Sequence, residues 1–172
     1  MSQLEPKKIK KGVALSGVNA GQTSVCTVGH TGNDLHYRGY DIIELAEKCS
    51  FEEVAHLLIY GELPNQQQLK IYLATLKKVR DLPHELKLVL ENIPKNTHPM
   101  DVMRTGCSML GTLEPESNER NIDQARNIAD RLISSFGSML IYWYKYSHEG
   151  IKLNLNTNED TIAGHFLSLL DR

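Results

Sequence analysis

The sequence of 172 residues has little net charge, few cysteines and no long apolar run. With a formal net charge of -2, it has no excess of Lys and Arg to bind phosphate backbones or anionic lipid, so we expect no nucleic-acid partner. No stretch reaches the ~18 apolar residues of a membrane-spanning helix. The basic start MSQLEPKKIKK is not followed by the apolar core of a signal peptide. We therefore expect no membrane association and a cytoplasmic location.

Motifs for metals, disulfides and nucleotide phosphates are also lacking. The cysteines are odd in number and form no CxxC pair, which favours reduced thiols over a disulfide framework or a zinc site: Cys26, Cys49 and Cys107. No two histidines have a spacing such as HExxH, so we predict no metal. The glycines near the N-terminus fit neither GxGxxG nor the Walker pattern, so no phosphate-binding loop is expected there.

What is present is mostly helical periodicity. Residues 24–38 read as a β-hairpin, because β-branched SVCTV and the extended LHYR flank the turn sequence GHTGND. Helix starts are indicated at several acceptor or proline positions downstream: Asp41, Ser50, Asn65, Pro83, Pro99 and Thr157. The fold class predicted is all-α with a short N-terminal β-hairpin. Residues 1–23 form a basic N-terminal segment, and residues 24–172 form one helical domain.

Three helical segments carry further expectations. Residues 118–149 hold one apolar stripe and predict a single long helix, with a possible easing at Gly137. The segment after Thr157 is apolar nearly all round, so it should be buried on every side. Gly106 within the Pro99 helix either costs about 1 kcal/mol relative to Ala or permits close helix packing, and we favour packing.

Most of the polar candidates have structural interpretations. His98 precedes a helix and could be held neutral, but a loop histidine bonded to a backbone carbonyl is the preferred interpretation. His36, His56 and His165 are expected to be packing or surface residues. Arg38 is expected to pair with Asp41 or a helix end rather than with a ligand.

Longer runs of the sequence resemble the citrate synthase family. The resemblance is carried by NDLHYRGYDI, FEEVAHLLIYGELP and HPMDVMRTG, and it extends from Lys10 to about Leu170. The runs KKGVALSGV and LIYWYKYSHEG narrow it to the 2-methylcitrate synthase branch. The resemblance implies the first part of a multi-helical large domain, from an all-helical homodimer.

The family resemblance also implies substrates and some binding residues. Members condense an acyl-CoA with oxaloacetate, here propionyl-CoA or acetyl-CoA, with no cofactor other than the coenzyme A thioester substrate. Lys77 lies on a helix where relatives often place a basic residue near substrate, although an exposed cationic face is the alternative. Lys8, Lys10 and Lys11 are candidates for contacts to the phosphates of coenzyme A, with a solvated basic segment as the alternative.

No catalytic residue can be transferred from the family to this sequence. The family's HGGA-type and GFGHxVY-type segments and its later catalytic Asp have no counterpart here. We therefore expect the chain to be part of an acyltransferase that is inactive by itself. The alternative is a non-catalytic helical binding or dimerisation module derived from that family.

Overall fold

The computed structural model describes residues 21–29, 32, 34–115 and 121–172. Three short strands come first: β1 (Cys26–Val28), β2 (Leu35–Tyr37) and β3 (Tyr40–Asp41). Seven helices follow in this part of the chain: α1 (Ile42–Lys48), α2 (Phe51–Tyr60), α3 (Gln66–Val79), α4 (His84–Glu91), α5 (Pro99–Leu113), α6 (Ile122–Glu149) and α7 (Ile162–Leu170). The predicted fold class, helical with a small N-terminal β-structure, is confirmed.

The strands form one small antiparallel sheet in the order β1-β2-β3. The hairpin predicted for residues 24–38 is confirmed, with Cys26 opposite Tyr37 and Val28 opposite Leu35. The structure adds β3, in which Tyr40 pairs with Tyr37 across the tight turn at Arg38 and Gly39. That turn needs positive φ at both residues, 50° at Arg38 and 89° at Gly39.

Most predicted helix starts are confirmed because they depend on local hydrogen bonds. Ser50 and Glu53 form a reciprocal capping box at α2, and Asn65 forms one with Gln68 at α3. At α1 the Asp41 carboxylate accepts from the amides of Ile43 and Glu44.

Among the remaining start signals, Pro83 is displaced and Pro99 is confirmed, and the predicted start of the long helix lies outside the described residues. Pro83 is the N-cap of α4 rather than a first-turn residue. Pro99 is the first residue of α5, as predicted. Asn118 lies outside the described residues, and Asn121 caps α6, which runs unbroken through Gly137.

The predicted start of the last helix at Thr157 is wrong. Thr161 caps α7 instead, accepting from the amide of Gly164 at 3.0 Å. The buried carboxylate of Glu52 on α2 accepts from the first helical amide, Ile162 N, at 2.8 Å. Thr157 instead forms hydrogen bonds with other elements. Tertiary contacts, rather than the local sequence, therefore determine which of the two threonines caps α7.

Helix α6 is the centre of the structure and contacts α2, α3, α4, α5 and α7. The main core cluster joins α4, α5, α6, α7 and the segment after α6, through buried residues that include Leu86, Leu90, Val102, Met139, Trp143 and Leu169. A second cluster joins α2 and α3 through Ala55, Tyr72 and Leu76. Among the described residues, no helix is both long and apolar enough to cross a membrane.

Gly106 packs closely against α6, as the sequence interpretation favoured. A Cβ at this position would lie 3.0 Å from the Sδ of Met139, which is fully buried. On the same helix, a Cβ at Gly111 would meet nothing within 4 Å. Substitutions at these two glycines therefore distinguish the energetic cost of close packing from the gain in helix propensity, within one helix.

We expect Gly106→Ala to destabilise the protein by about 1 kcal/mol, because overpacking exceeds the gain in helix propensity. Gly111→Ala, the matched control, should stabilise it by up to about 1 kcal/mol. Urea denaturation of both variants measures the difference. Stabilisation by both substitutions would show that Met139 yields freely and that Gly106 is not needed for packing.

The prediction that α7 is buried on every side is wrong. His165 and Leu169 are buried, whereas Leu167 is 58% exposed and Leu170 is 38% exposed. One apolar face of α7 therefore faces solvent beside α6. This face forms part of an apolar groove on the surface.

Candidate functional site

Lys77, the predicted substrate-side lysine, lies near the C-terminal end of α3. Its Nζ donates to Asp160 Oδ1 at 2.7 Å and to the Asn158 carbonyl at 2.8 Å. The Lys77 interaction lowers the pKa of Asp160. An ammonium has three donors, so both bonds leave one for a further acceptor, and the side chain is 36% exposed. The substrate role of Lys77 stays a prediction.

Arg80, one helical turn further on, holds the same connecting segment, residues 151–161. Its guanidinium donates to the carbonyls of Glu159 and Thr157 and, at 2.9 Å, to the Thr157 hydroxyl. The residue is only 7% exposed, and burial lowers its pKa. Arg80 and Lys77 thus fix the extended segment that connects α6 to α7 against the end of α3.

Four side chains close a polar ring around this contact: Arg80, Thr157, His165 and Ser138. The His165 Nδ1 lies 2.9 Å from Thr157 Oγ1, and its Nε2 lies 3.0 Å from Ser138 Oγ. The Ser138 hydroxyl donates to the Arg80 carbonyl at 2.7 Å, which completes the ring.

The bonding pattern of the polar ring assigns the tautomer of His165. Because Ser138 uses its proton on the Arg80 carbonyl, its oxygen must accept from Nε2–H of His165. Nδ1 then accepts from the Thr157 hydroxyl, whose oxygen accepts from Arg80. A neutral imidazole satisfies every partner, and burial, with the nearby charges of Arg80 and Arg172, lowers the pKa of His165 to about 4.

The Ser138–His165 pair has the spacing of a nucleophile and its base, but its environment is structural. Ser138 is fully buried and its proton is committed to a backbone carbonyl. A nucleophile needs a base that takes its proton and a path to substrate, and this pair has neither. The polar ring therefore stabilises the α3, α6 and α7 junction.

A second buried polar cluster surrounds Asp130 on α6. Its carboxylate accepts from Tyr60 at 2.6 Å and from Tyr72 at 2.8 Å. Burial and this hydrogen bonding raise the pKa of Tyr60 to about 12 and also raise that of Tyr72. His56 stacks on Tyr60, and its Nδ1–H donates to the Glu62 carbonyl at 2.9 Å. The cluster ties α2 and α3 to α6.

The concave surfaces on the described part of the chain include a polar depression and an apolar groove. A polar depression of about 510 Å³ beside the sheet is lined by residues that include Cys26, His36 and Arg38. Arg38 donates to Ser24 Oγ and to the Leu58 carbonyl near the end of α2, so the predicted use at a helix end is confirmed. Asp41 serves α1 instead.

The apolar groove has a volume of about 710 Å³ and is lined by residues of α2, α5, α6 and α7. All ten residues that line it are apolar, including Phe51, Met103, Phe136, Leu140, Phe166 and Leu167. No proton-transfer group or charged clamp lines this groove. It can bind apolar groups but cannot by itself move a proton.

The remaining candidates fall into three groups. Lys8, Lys10 and Lys11 lie outside the described residues. His98 caps α5, where its Nδ1 accepts from the amide of Met100 at 3.2 Å, so the expected bond to a carbonyl is wrong. Within the described ranges, no group of three or more His, Cys, Asp or Glu residues could hold a metal ion; the absence of a metal stays a prediction.

The family model described as "Citrate synthase, C-terminal domain" matches residues 14–172. The 2-methylcitrate synthase of Shewanella oneidensis is 52% identical over 159 residues, which are 92% of this chain and 42% of that protein. The helical scaffold and these matches define one class of protein. The chain belongs to the citrate synthase family, as its sequence runs indicated.

Solved citrate synthases agree with the fold. The crystal structure of the Thermotoga maritima enzyme is 32% identical with a TM-score of 0.72, covering 90% of this chain and 39% of that one. The Thermoplasma acidophilum enzyme, solved in a ternary complex with carboxymethyl coenzyme A and oxaloacetate, has a TM-score of 0.79 over 94% of this chain and 43% of its own. At 21% identity the latter shows the fold alone. This chain spans about two fifths of the length of the curated 2-methylcitrate synthases it matches.

Proposed function

We propose that the chain is the N-terminal, scaffold portion of an enzyme that condenses propionyl-CoA, or acetyl-CoA, with oxaloacetate. Water then cleaves the thioester, releasing 2-methylcitrate, or citrate, and free CoA. The observation that carries this proposal is the 52% identity to a 2-methylcitrate synthase over 92% of the chain. A homodimeric, cytoplasmic enzyme without a bound cofactor or metal is part of the same proposal.

The chemistry of this condensation sets demands that the described side chains do not meet. A carboxylate must remove the weakly acidic α-proton, donors must stabilise the enolate and polarise the ketone, and arginines must hold the dicarboxylate. Asp130 is saturated by two tyrosines, and His165 is enclosed in the polar ring. The catalytic groups are accordingly assigned to the part of the enzyme that this chain does not contain.

The scaffold contributes position rather than chemistry. Lys77 and Arg80 fix the connecting segment, and α6 organises the helices around it. Within the proposed enzyme, Lys77 could use its remaining donor toward substrate, and Lys8, Lys10 or Lys11 toward the phosphates of coenzyme A. The identity of the acyl group rests on family likeness, because one methylene in an apolar pocket is worth only about 1–3 kcal/mol.

A second candidate, a non-catalytic binding or dimerisation module, is favoured by the exposed apolar groove alone. Large contiguous apolar surfaces normally mark interfaces. In the first candidate the groove is part of a larger enzyme. In the second it is the binding surface of a short chain that is stable by itself.

A chimaera tests the proposed enzyme. This chain is joined to the part of the S. oneidensis enzyme that the 159-residue match does not cover, and free thiol release is followed with oxaloacetate and propionyl-CoA or acetyl-CoA. We expect turnover by the chimaera that requires both substrates. A folded chimaera without turnover would contradict the proposed function and would leave the binding module as the better account.

A further inference from the structure

Ser134 on α6 is a buried polar residue to which the described part of the chain offers no hydrogen-bond partner. The residue is 3% exposed and its hydroxyl oxygen is enclosed, yet that oxygen is unpaired. The other two buried serines of this helix are both bonded, Ser135 to the Leu132 carbonyl and Ser138 within the polar ring. Buried hydroxyls are normally hydrogen-bonded, because an unpaired one loses its hydration without compensation. The exception at Ser134 therefore indicates a partner from outside the chain.

Ser134 lines a small cavity of about 10 Å³ at the junction of α3, α6 and α7. A space of roughly 10–15 Å³ holds one water molecule. Cavities lined by apolar groups stay dry, whereas polar linings retain water. Most of the lining here is polar or charged, from Lys77, Arg80, Ser134, Asp160, Thr161 and His165.

The lining supplies further groups that a water needs, since a buried water makes two to four hydrogen bonds. The Thr161 hydroxyl accepts from the amide of Gly164, so its own proton is free to be donated. Asp160 uses Oδ1 for Lys77, and its second carboxylate oxygen can still accept. Asp160 and Thr161 are both exposed, so a water can reach the cavity from the surface.

Other occupants fit this cavity less well. His165 cannot turn to Ser134, because its two nitrogens are paired with Thr157 and Ser138. A metal cation is disfavoured by the positive charges of Lys77 and Arg80 in the same lining. A phosphate or carboxylate is larger than the space. A neutral molecule with both donors and acceptors, of the size of one water, matches the size and the charge.

We propose that this cavity is the binding site of one structural water molecule, which bonds to the Ser134 hydroxyl and bridges it to Thr161 at the N-cap of α7. The water adds a second polar contact between α6 and α7 beside the polar ring. The site is a property of the folded chain and does not depend on the proposed catalytic function.

A high-resolution crystal structure of the chain tests the site directly. We expect an isolated density peak about 2.7–3.2 Å from Ser134 Oγ and from a second polar atom of the lining. In crystals of Ser134→Val, whose larger apolar side chain occupies part of the cavity, the peak should be lost. Absence of the peak from the unmodified chain would overturn the proposal. A Ser134 hydroxyl that instead donates to the carbonyl of Asp130, one helical turn earlier, would also overturn it.

Urea denaturation provides an independent measurement in solution. Ser134→Ala removes the group that anchors the water, whereas in a dry cavity it would only remove an unpaired hydroxyl. Ser108→Ala, at an exposed position of α5, is the matched control and reports the gain in helix propensity from serine to alanine. We expect the denaturation midpoint of Ser134→Ala to lie below that of Ser108→Ala. An equal or higher midpoint for Ser134→Ala would contradict the presence of a bound water.

Discussion

Replacing Arg80 with methionine should lower the free energy of unfolding by about 3–5 kcal/mol. The variant removes three hydrogen bonds from a charged donor and leaves buried acceptors on Thr157 without partners. Hydrogen bonds to charged groups contribute roughly 1.5–3 kcal/mol each, and their losses are not additive. Urea denaturation of Arg80→Met against the unmodified chain measures the effect.

Two further variants identify the cause of that loss. Arg80→Lys keeps the charge but lacks the planar fork, so it should recover less than half of the stability. Arg104→Met, on the exposed face of α5, removes a partner of Asp101 whose side chain is 52% exposed, and should change stability by no more than about 0.5 kcal/mol. Equal losses for Arg80→Met and Arg104→Met would contradict the structural role given to the guanidinium.

Stability should also fall as the pH is lowered from 6.5 to 4, by up to about 3 kcal/mol. His165 has a pKa of about 4 in the folded protein against an ordinary value of 6.5. Within that window the unfolded chain binds a proton at this residue and the folded chain does not, so unfolding is favoured as pH falls. Above 6.5 both states are neutral and the full stability is present. Below about 4 both states are protonated and the loss from this residue is complete.

The pH effect is checked by denaturation midpoints of the chain at pH 7, 5.5 and 4. His165→Gln should be less stable at pH 7, but its stability should vary much less between pH 6.5 and 4. His84→Gln, at an exposed position on α4, should retain the full dependence. A pH dependence that is the same in His165→Gln and the unmodified chain would show that other groups cause it.

The sequence predicts those parts of the fold that short-range hydrogen bonds determine. The caps at Ser50 and Asn65 act within three residues, Pro99 is the first residue of α5, and the turn chemistry of GHTGND acts within one hairpin. The long periodicity of α6 is likewise local in the chain. The family resemblance adds membership of the citrate synthase family, which the comparisons show.

The polar ring could not be predicted, because three of its four links join residues that lie 27, 58 and 77 positions apart in the sequence. Thr157 and Thr161 are both plausible helix caps from local sequence, and only the contacts of Arg80 and Glu52 select Thr161. A weak signal existed in the serines placed on the buried side of α6 and in a histidine within an otherwise apolar helix. Polar residues at such positions indicate buried partners without identifying them.

For the candidate site, too, local features could be predicted from the sequence and contacts between distant residues could not. The sequence could indicate which catalytic segments of the family have no counterpart. It could not predict the hydrogen bonds of Lys77, because Asn158 and Asp160 lie 81 and 83 residues further along the chain. The apolar groove could be anticipated only in outline, from the nearly uniform apolar character of α7. Its walls on α5 and α6 require the packed structure.

The central claim, that these residues are scaffold without proton-transfer machinery, is tested most directly by assaying the purified 172-residue chain beside the chimaera. With saturating oxaloacetate and propionyl-CoA or acetyl-CoA, we expect no thiol release above the uncatalysed background from the chain and sustained release from the chimaera. Steady, enzyme-dependent turnover by the chain alone would contradict the account.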